Sequence, residues 1–388
     1  MIDDYSDIEE RYFAHLRTEG KVDADPSGWV ATYSAAEKLL CLPPLRPRDF
    51  AHYYIDEGDS LRARKEPVQR LLSAWERRPV PLREFTLCPS GATASLVVLA
   101  MLRALGVSFV LFETPCYFAT VEQAMQIRVR YDLVPTYHDR GYELPDLSAR
   151  LRGASTVALW LTQPRASLGF NQSCRSIRSL LRQIGSNGYL VVDEATDQSF
   201  PAHLSSIHSA ESDARLIRIR SFTKAMGLNG FRLAAVLHPA SLRKPAVAAL
   251  ETFGGAIDIH SLLTVSAFAA DLPRLQRMLA AANRQVNLLR AKAEKLVSGT
   301  PLSVNRLING YIGTLVADLR KLGRTHVERR KRLLEGCERL RTPVMLGAGS
   351  YMAKDPPREA IRLNFFMQPD NITRGINNII KIWPESSS

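Results

Sequence analysis

An α/β fold with a largely parallel sheet, followed by a smaller α+β part, is what this sequence predicts, on three observations. Strand-like runs alternate with helical ones from about residue 85 to residue 237, and that alternation puts helices on both faces of a parallel sheet. The rhythm stops after residue 272, where Leu275, Met278, Leu279, Ala282, Val286, Leu289, Ala293 and Leu296 recur every three or four residues, as in one long amphipathic helix. Small and polar residues cluster just after several strand-like runs, where open α/β sheets bind their ligands.

The elements follow in order. Residues 1–50 are irregular, with a short amphipathic helix through Ile8, Tyr12, Phe13 and Leu16 and a proline-rich connection at Leu42–Pro47, which prolines keep out of helices and central strands. Val68, Leu71, Leu72 and Trp75 mark a helix. Phe85-Thr86-Leu87 ends a strand, and an apolar helix runs over Leu96–Leu105. Further strands are expected at Ser108–Phe112, Thr156–Leu161, Tyr189–Val192, Leu216–Arg220 and Leu233–Leu237, with helices at Glu122–Gln126 and Ser176–Ile184 between them. Leu216-Ile217-Arg218-Ile219-Arg220 alternates apolar and charged residues, the pattern of a half-buried strand. The chain closes with a strand through Ile361–Phe366 and a helix over Asn371–Ile382.

Composition narrows the function classes. Hydrophobic content of 46% with 23% charged residues is that of a globular chain with a large core. No apolar run is long enough to span a bilayer, so no membrane association is expected. The acidic opening, with Asp3, Asp4, Asp7, Glu9 and Glu10, has the wrong charge for a secretory signal, and a cytoplasmic location is the simplest expectation. The net charge of +12 is mostly scattered; its densest cluster, Arg329–Arg332, has no interleaved aromatics, so no nucleic-acid partner is expected. The five cysteines form no CxxC pair and the histidines no HExxH spacing, which argues against a metal site and a disulfide framework.

The chemistry gathers at the strand ends. Ser221-Phe222-Thr223-Lys224-Ala225-Met226-Gly227 follows a strand and sets one lysine on a loop flanked by hydroxyls, with Arg232 eight residues on. That pattern suits a Schiff-base lysine beside a bound phosphate. Ser90-Gly91-Ala92-Thr93 opens a helix directly after a strand, where free backbone N–H groups make an anion site. Asp193 ends the apolar run Tyr189–Val192 and suits either a helix cap or a carboxylate paired with a protonated ring nitrogen. Tyr117 follows Glu113-Thr114-Pro115-Cys116 and suits stacking on a planar ring or a place in the core.

In order and spacing these features resemble the fold type I pyridoxal-phosphate enzymes, in particular the class I/II aminotransferases, from about Tyr53 to Arg362. The resemblance implies an aspartate aminotransferase-like fold: a large domain over residues 50–280 with a mostly parallel seven-stranded sheet, and a small domain from residues 1–49 and 281–388. It implies pyridoxal 5'-phosphate as cofactor, an amino-acid substrate and a homodimer. By motif position, Lys224 is the Schiff-base lysine, Asp193 the partner of the pyridine nitrogen and Tyr117 the stacking aromatic. Gly91, Ala92, Ser221 and Arg232, with Thr93 and Thr223, would hold the phosphate; Tyr53 would reach the phosphate of a neighbouring subunit, and Arg362 would clamp the substrate carboxylate.

Two positions depart from the family pattern. Where the family has Asn-Pro-x-Asn-Pro-Thr-Gly this chain has Gln163-Pro164-Arg165-Ala166-Ser167-Leu168-Gly169, so Ala166 replaces a donating asparagine; Thr196 stands where the family has tyrosine. Both side chains that normally donate to the cofactor's phenolic oxygen are thereby lost, which leaves space beside the cofactor. This points to a bulky or unusual amino acid, or to elimination, decarboxylation or oxidative deamination in place of transamination. Arg165 and Tyr311 are candidates to contact such a substrate, with a solvated or core role the other reading for each. A regulatory protein keeping the cofactor as a ligand is the reading from another class, and it lacks a DNA-binding module within residues 1–50.

Overall fold

The structure is a computed structural model of the 388-residue chain. It describes residues 12–14, 16, 22–28, 44, 59–114, 116–135, 137–138, 141–142, 147, 156–165, 171–185, 188–204, 215–225, 230, 232–305, 310–346 and 358–383. The elements are α1 (Asp59–Glu76), β1 (Phe85–Cys88), α2 (Gly91–Ala104), β2 (Phe109–Thr114), α3 (Phe118–Gln126) and β3 (Tyr131–Pro135), then a small ribbon of β4 (Tyr137–His138) and β5 (Gly141–Tyr142). They continue with β6 (Val157–Thr162), α4 (Cys174–Ile184), β7 (Tyr189–Glu194), β8 (Leu216–Ser221), the single turn α5 (Phe222–Ala225), β9 (Ala234–Leu237), α6 (Arg243–Phe253) and α7 (Ile259–Ala270). The last part holds α8 (Leu272–Val297), β10 (Leu302–Val304), β11 (Ile312–Asp318), α9 (His326–Arg339), β12 (Arg358–Asn364) and α10 (Pro369–Ile380).

The main sheet has seven strands in the order β1-β9-β8-β7-β6-β2-β3. Only β9 runs against the rest, pairing antiparallel with both β1 and β8, while β2, β3, β6, β7 and β8 pair in parallel. This is the expected α/β architecture, with one strand, β3, that the sequence pattern did not reveal. Tyr131-Asp132-Leu133-Val134-Pro135 sits at the sheet edge, where its polar residue and terminal proline are tolerated.

Helices cover both faces because the strands are apolar on both. One core cluster joins α2, α3 and α6 to Val110, Phe112, Trp160, Val191 and Ile219. On the opposite face, α4 buries Ile177, Leu180 and Leu181 against Leu159, Leu190 and Val192; Ser173 caps this helix by accepting from the Ser176 N–H. The largest cluster runs from α1 through α7 and α8 into the three-stranded antiparallel sheet β10-β11-β12. The helix α8 spans the boundary expected at residue 280, and Gln285 on it donates to the Phe365 carbonyl at 3.0 Å. The large sheet and the C-terminal part are thus held by one continuous apolar mass.

The alternating strand departs from its expected half-burial: all six residues of β8 are buried. Arg218 and Arg220 are 0% and 1% exposed, because carboxylates on neighbouring elements take the place of water. Arg218 donates to Glu194 at 2.7 and 3.1 Å and to Glu76. Arg220 donates to Asp197 at 3.0 Å and lies over the Trp75 ring, 4.9 Å from its centroid.

Candidate active site

Adjacent strand residues face opposite sides of a sheet, and β7 uses this to separate two tasks. Glu194 belongs to the arginine cluster, while Asp193, opposite Thr162 and Ile219 in register, belongs to the carboxyl edge. Asp193 is 5% exposed and accepts the Ala195 N–H at 2.9 Å. Burial pushes its carboxyl up to about 6, against the opposing pull of that hydrogen bond and of the Lys224 charge.

Lys224 rides on α5, the turn that β8 feeds directly. Phe222 anchors this turn: it is fully buried, its N–H donates to the Leu233 carbonyl at 3.2 Å, and its ring meets Trp75. The Lys224 ammonium lies 5.4 Å from the centroid of the Tyr117 ring. Its pKa is lowered, first by burial and then by the positive charges of Arg362 and Arg232, with Asp193 pulling the other way. Lysine, carboxylate, aromatic ring and two arginines therefore converge on one place.

The start of α2 forms the floor. Ser90 accepts the Thr93 N–H and shares a hydroxyl contact of 2.9 Å with the Thr93 side chain. The Gly91 and Ala92 N–H groups lie in the first turn, where a helix supplies no partner. A Cβ on Gly91 would lie 3.6 Å from Ala195 and 3.7 Å from Ser221, so three chain segments meet there. Arg232 is exposed, and its backbone N–H donates to Ser261 at 2.8 Å. An anion facing backbone N–H groups and a hydroxyl is what this corner suits.

Arg362 comes from β12, 5% exposed, and donates from Nε to the Ser27 carbonyl at 3.1 Å. The Ser27 hydroxyl in turn donates to the Arg362 carbonyl at 2.6 Å. An N-terminal segment thus orients the guanidinium, a contact between residues 335 apart that sequence inspection missed.

Of the two readings left open for Arg165, its surroundings favour the core role. It is 1% exposed and forms an ion pair with the fully buried Glu113, because a guanidinium so far from water needs a carboxylate beside it. Glu113 also accepts the Thr162 N–H at 3.1 Å. Gln163, at the family's first asparagine position, grips the Gln172 backbone through both amide atoms. Thr196 is half-buried beside Asp193. Tyr53, Ala166 and the Thr223 side chain lie outside the described residues.

The sequence matches the family "Aminotransferase class I and II" over residues 76–376. The chain belongs to that family. It is accordingly a pyridoxal-phosphate-dependent transferase. Its fold is similar to that of a methionine aminotransferase of Escherichia coli, with a TM-score of 0.75 and 14% identity over 97% of this chain and 96% of that one. An aromatic aminotransferase of Pyrococcus horikoshii gives 0.73 and 15%, over 97% and 98%. Thermus thermophilus aspartate aminotransferase gives 0.72 and 15%, over 97% and 96%. No curated protein matches the sequence.

The residues present fit the cofactor that the family implies. A buried carboxylate raised by burial suits a protonated ring nitrogen, a lysine amine stands over an aromatic face, and a helix start opening on Gly91 lies close to Ser221.

Proposed function

We propose that this protein is an aminotransferase that works at the α-amino group of an amino acid through a Lys224 Schiff base. The observation that carries the reading is the convergence of Lys224, Asp193, Tyr117 and Arg362 from four separated elements. When bound, pyridoxal phosphate supplies an electron sink for the bonds at the substrate α-carbon.

The protein supplies the rest. Asp193 holds the proton on the ring nitrogen, and Tyr117 fixes the plane of the ring. Gly91, Ala92, Thr93, Ser221, Thr223 and Arg232 hold the phosphate. Arg362 orients the substrate carboxylate, held in turn by the Ser27 carbonyl. Lys224, whose lowered pKa favours the neutral amine, moves the proton at the α-carbon. The active form is a homodimer in which Tyr53 serves the neighbouring subunit.

One observation supports a second reading. Thr196 gives no phenol beside Asp193, so the site departs from the usual transaminating arrangement, and elimination, decarboxylation or oxidative deamination follows the same residues up to bond cleavage. One experiment separates the two. The cofactor-loaded protein is titrated with each of the twenty protein amino acids, without keto acid, and its visible absorption is followed. Stoichiometric conversion to the aminated cofactor is expected. Accumulation of ammonia, carbon dioxide or peroxide under an unchanged spectrum would favour the second reading.

A further inference from the structure

The N-terminal segment that orients Arg362 is itself held, and by a residue of the same strand. Asn364 stands two residues beyond Arg362 on β12, so both side chains leave the same face of the small sheet. Ile361 and Leu363 take the other face and join the largest apolar cluster. Arg362 and Asn364 reach one short stretch. The Arg362 guanidinium donates from Nε and Nη2 to the Ser27 carbonyl. Asn364 takes the carbonyls on either side: its backbone N–H donates to Pro26 at 2.9 Å and its side-chain amide to Gly28 at 2.8 Å.

The amide works only one way round. Its Oδ1 accepts the Phe366 N–H at 2.9 Å, so the donating Nδ2 is turned to Gly28. The bend that follows β12 is pinned as well. The Phe365 N–H donates to the Tyr311 carbonyl at 2.9 Å, Gln285 donates to the Phe365 carbonyl, and the Phe366 ring stacks on that of the buried Tyr311 with centroids 4.6 Å apart. Asn364 and Ser27 are both fully buried. A carbonyl that loses its donor in such a place must turn to find another. Without the Asn364 amide, the Gly28 carbonyl would be left so, and turning it would disturb the Ser27 carbonyl one peptide away.

We propose that Asn364 is a positioning residue: by gripping residues 26 and 28 it fixes the Ser27 carbonyl, and through that carbonyl the plane in which Arg362 meets the substrate α-carboxylate. A guanidinium is a flat, rigid fork, and it pairs well with a carboxylate only when the two are aligned. The inference rests on the aminotransferase reading above, in which Arg362 takes the carboxylate.

The test is a double-mutant cycle in the holoenzyme: wild type, Asn364→Ala, Arg362→Gln and the two combined. The probe is whichever of the twenty protein amino acids alters the wild-type spectrum at the lowest concentration, paired with the amine of the same side chain lacking the carboxylate. Dissociation constants for both are read from the visible spectrum, and thermal unfolding verifies the fold. N364A is expected to weaken the amino acid about tenfold, the size of one hydrogen bond to a charged group, and to leave the amine unchanged. On R362Q it should add nothing, because the residue it acts through is already gone. Equal weakening of both probes, weakening of neither, or a full further loss on R362Q overturns the proposal. Asn364→Ser keeps an oxygen that can accept the Phe366 N–H but is too short to reach Gly28; it should show the same selectivity and carries the test if N364A does not fold. If R362Q alone leaves the preference for amino acid over amine intact, or no amino acid alters the wild-type spectrum, the aminotransferase reading itself fails and takes the proposal with it, a result distinct from the others.

Discussion

Strands β7 and β8 carry two sets of buried polar residues, one on each face, and the sets behave oppositely. On one face Glu76, Glu194, Asp197, Arg218 and Arg220 are no more than 2% exposed and bind one another through a dense set of hydrogen bonds. On the other, Asp193 accepts one backbone N–H and Lys224 stands over an aromatic ring. The first set satisfies itself and is structural. The second is less densely paired, which is why it is proposed as the ligand site.

Four substitutions sharpen the contrast, from the largest effect down. Lys224→Ala is expected to lower turnover by roughly 10⁴-fold and to abolish the visible band, with thermal unfolding unaffected; a variant that retained the band would place the Schiff base elsewhere. Arg362→Gln should reduce kcat/KM by roughly 10²–10³-fold, measured in steady-state assays with the amino acid that converts the spectrum.

On the other face the effect moves from activity to stability. Arg218→Met leaves three carboxylates around one guanidinium and should cost about 3–5 kcal/mol, seen in chemical denaturation, with the activity of the remaining folded protein largely kept. Comparable activity loss without destabilisation would mean that the cluster takes part in the chemistry.

The smallest effect has a sign that tests the comparison directly. The Asp193 pKa is raised to about 6 in the folded protein from an ordinary 3.8, so the folded state binds this proton more tightly than the unfolded state. Its contribution is full below the unfolded value and is lost as pH rises through about 6. Cofactor-free Asp193→Asn should therefore melt about 2–4 °C above wild type at pH 8 and lack this pH dependence. With cofactor bound the order should reverse, because the ring nitrogen supplies the missing charge. A cofactor-free variant that melts lower would make Asp193 structural, like Glu194.

The candidate site could be proposed from the sequence because it follows local rules. Lys224, Asp193 and Gly91 each stand directly after a strand-like run, and order along the chain carries that information. Arg218 and Arg220 misled for an equally local reason. Alternation of apolar and charged residues signals a solvent-facing side, and no local pattern says that Glu76, 142 residues from Arg218, will be there to meet it. For Arg165 the sequence left a substrate contact and a core role open, since no local pattern names its partner Glu113 on β2.

By itself the sequence determined the α/β class and the long helix after residue 272, and it supplied the candidate site residues, since periodicity and turn composition are properties of neighbouring residues. Tertiary structure alone decided which charges are satisfied. It turned Arg165 inward onto Glu113, set the Ser27 carbonyl behind Arg362, and brought Gly310 close to Pro164 and Thr196. Each of those contacts joins segments far apart in the chain, and the energy of a buried polar group depends on what packing places next to it.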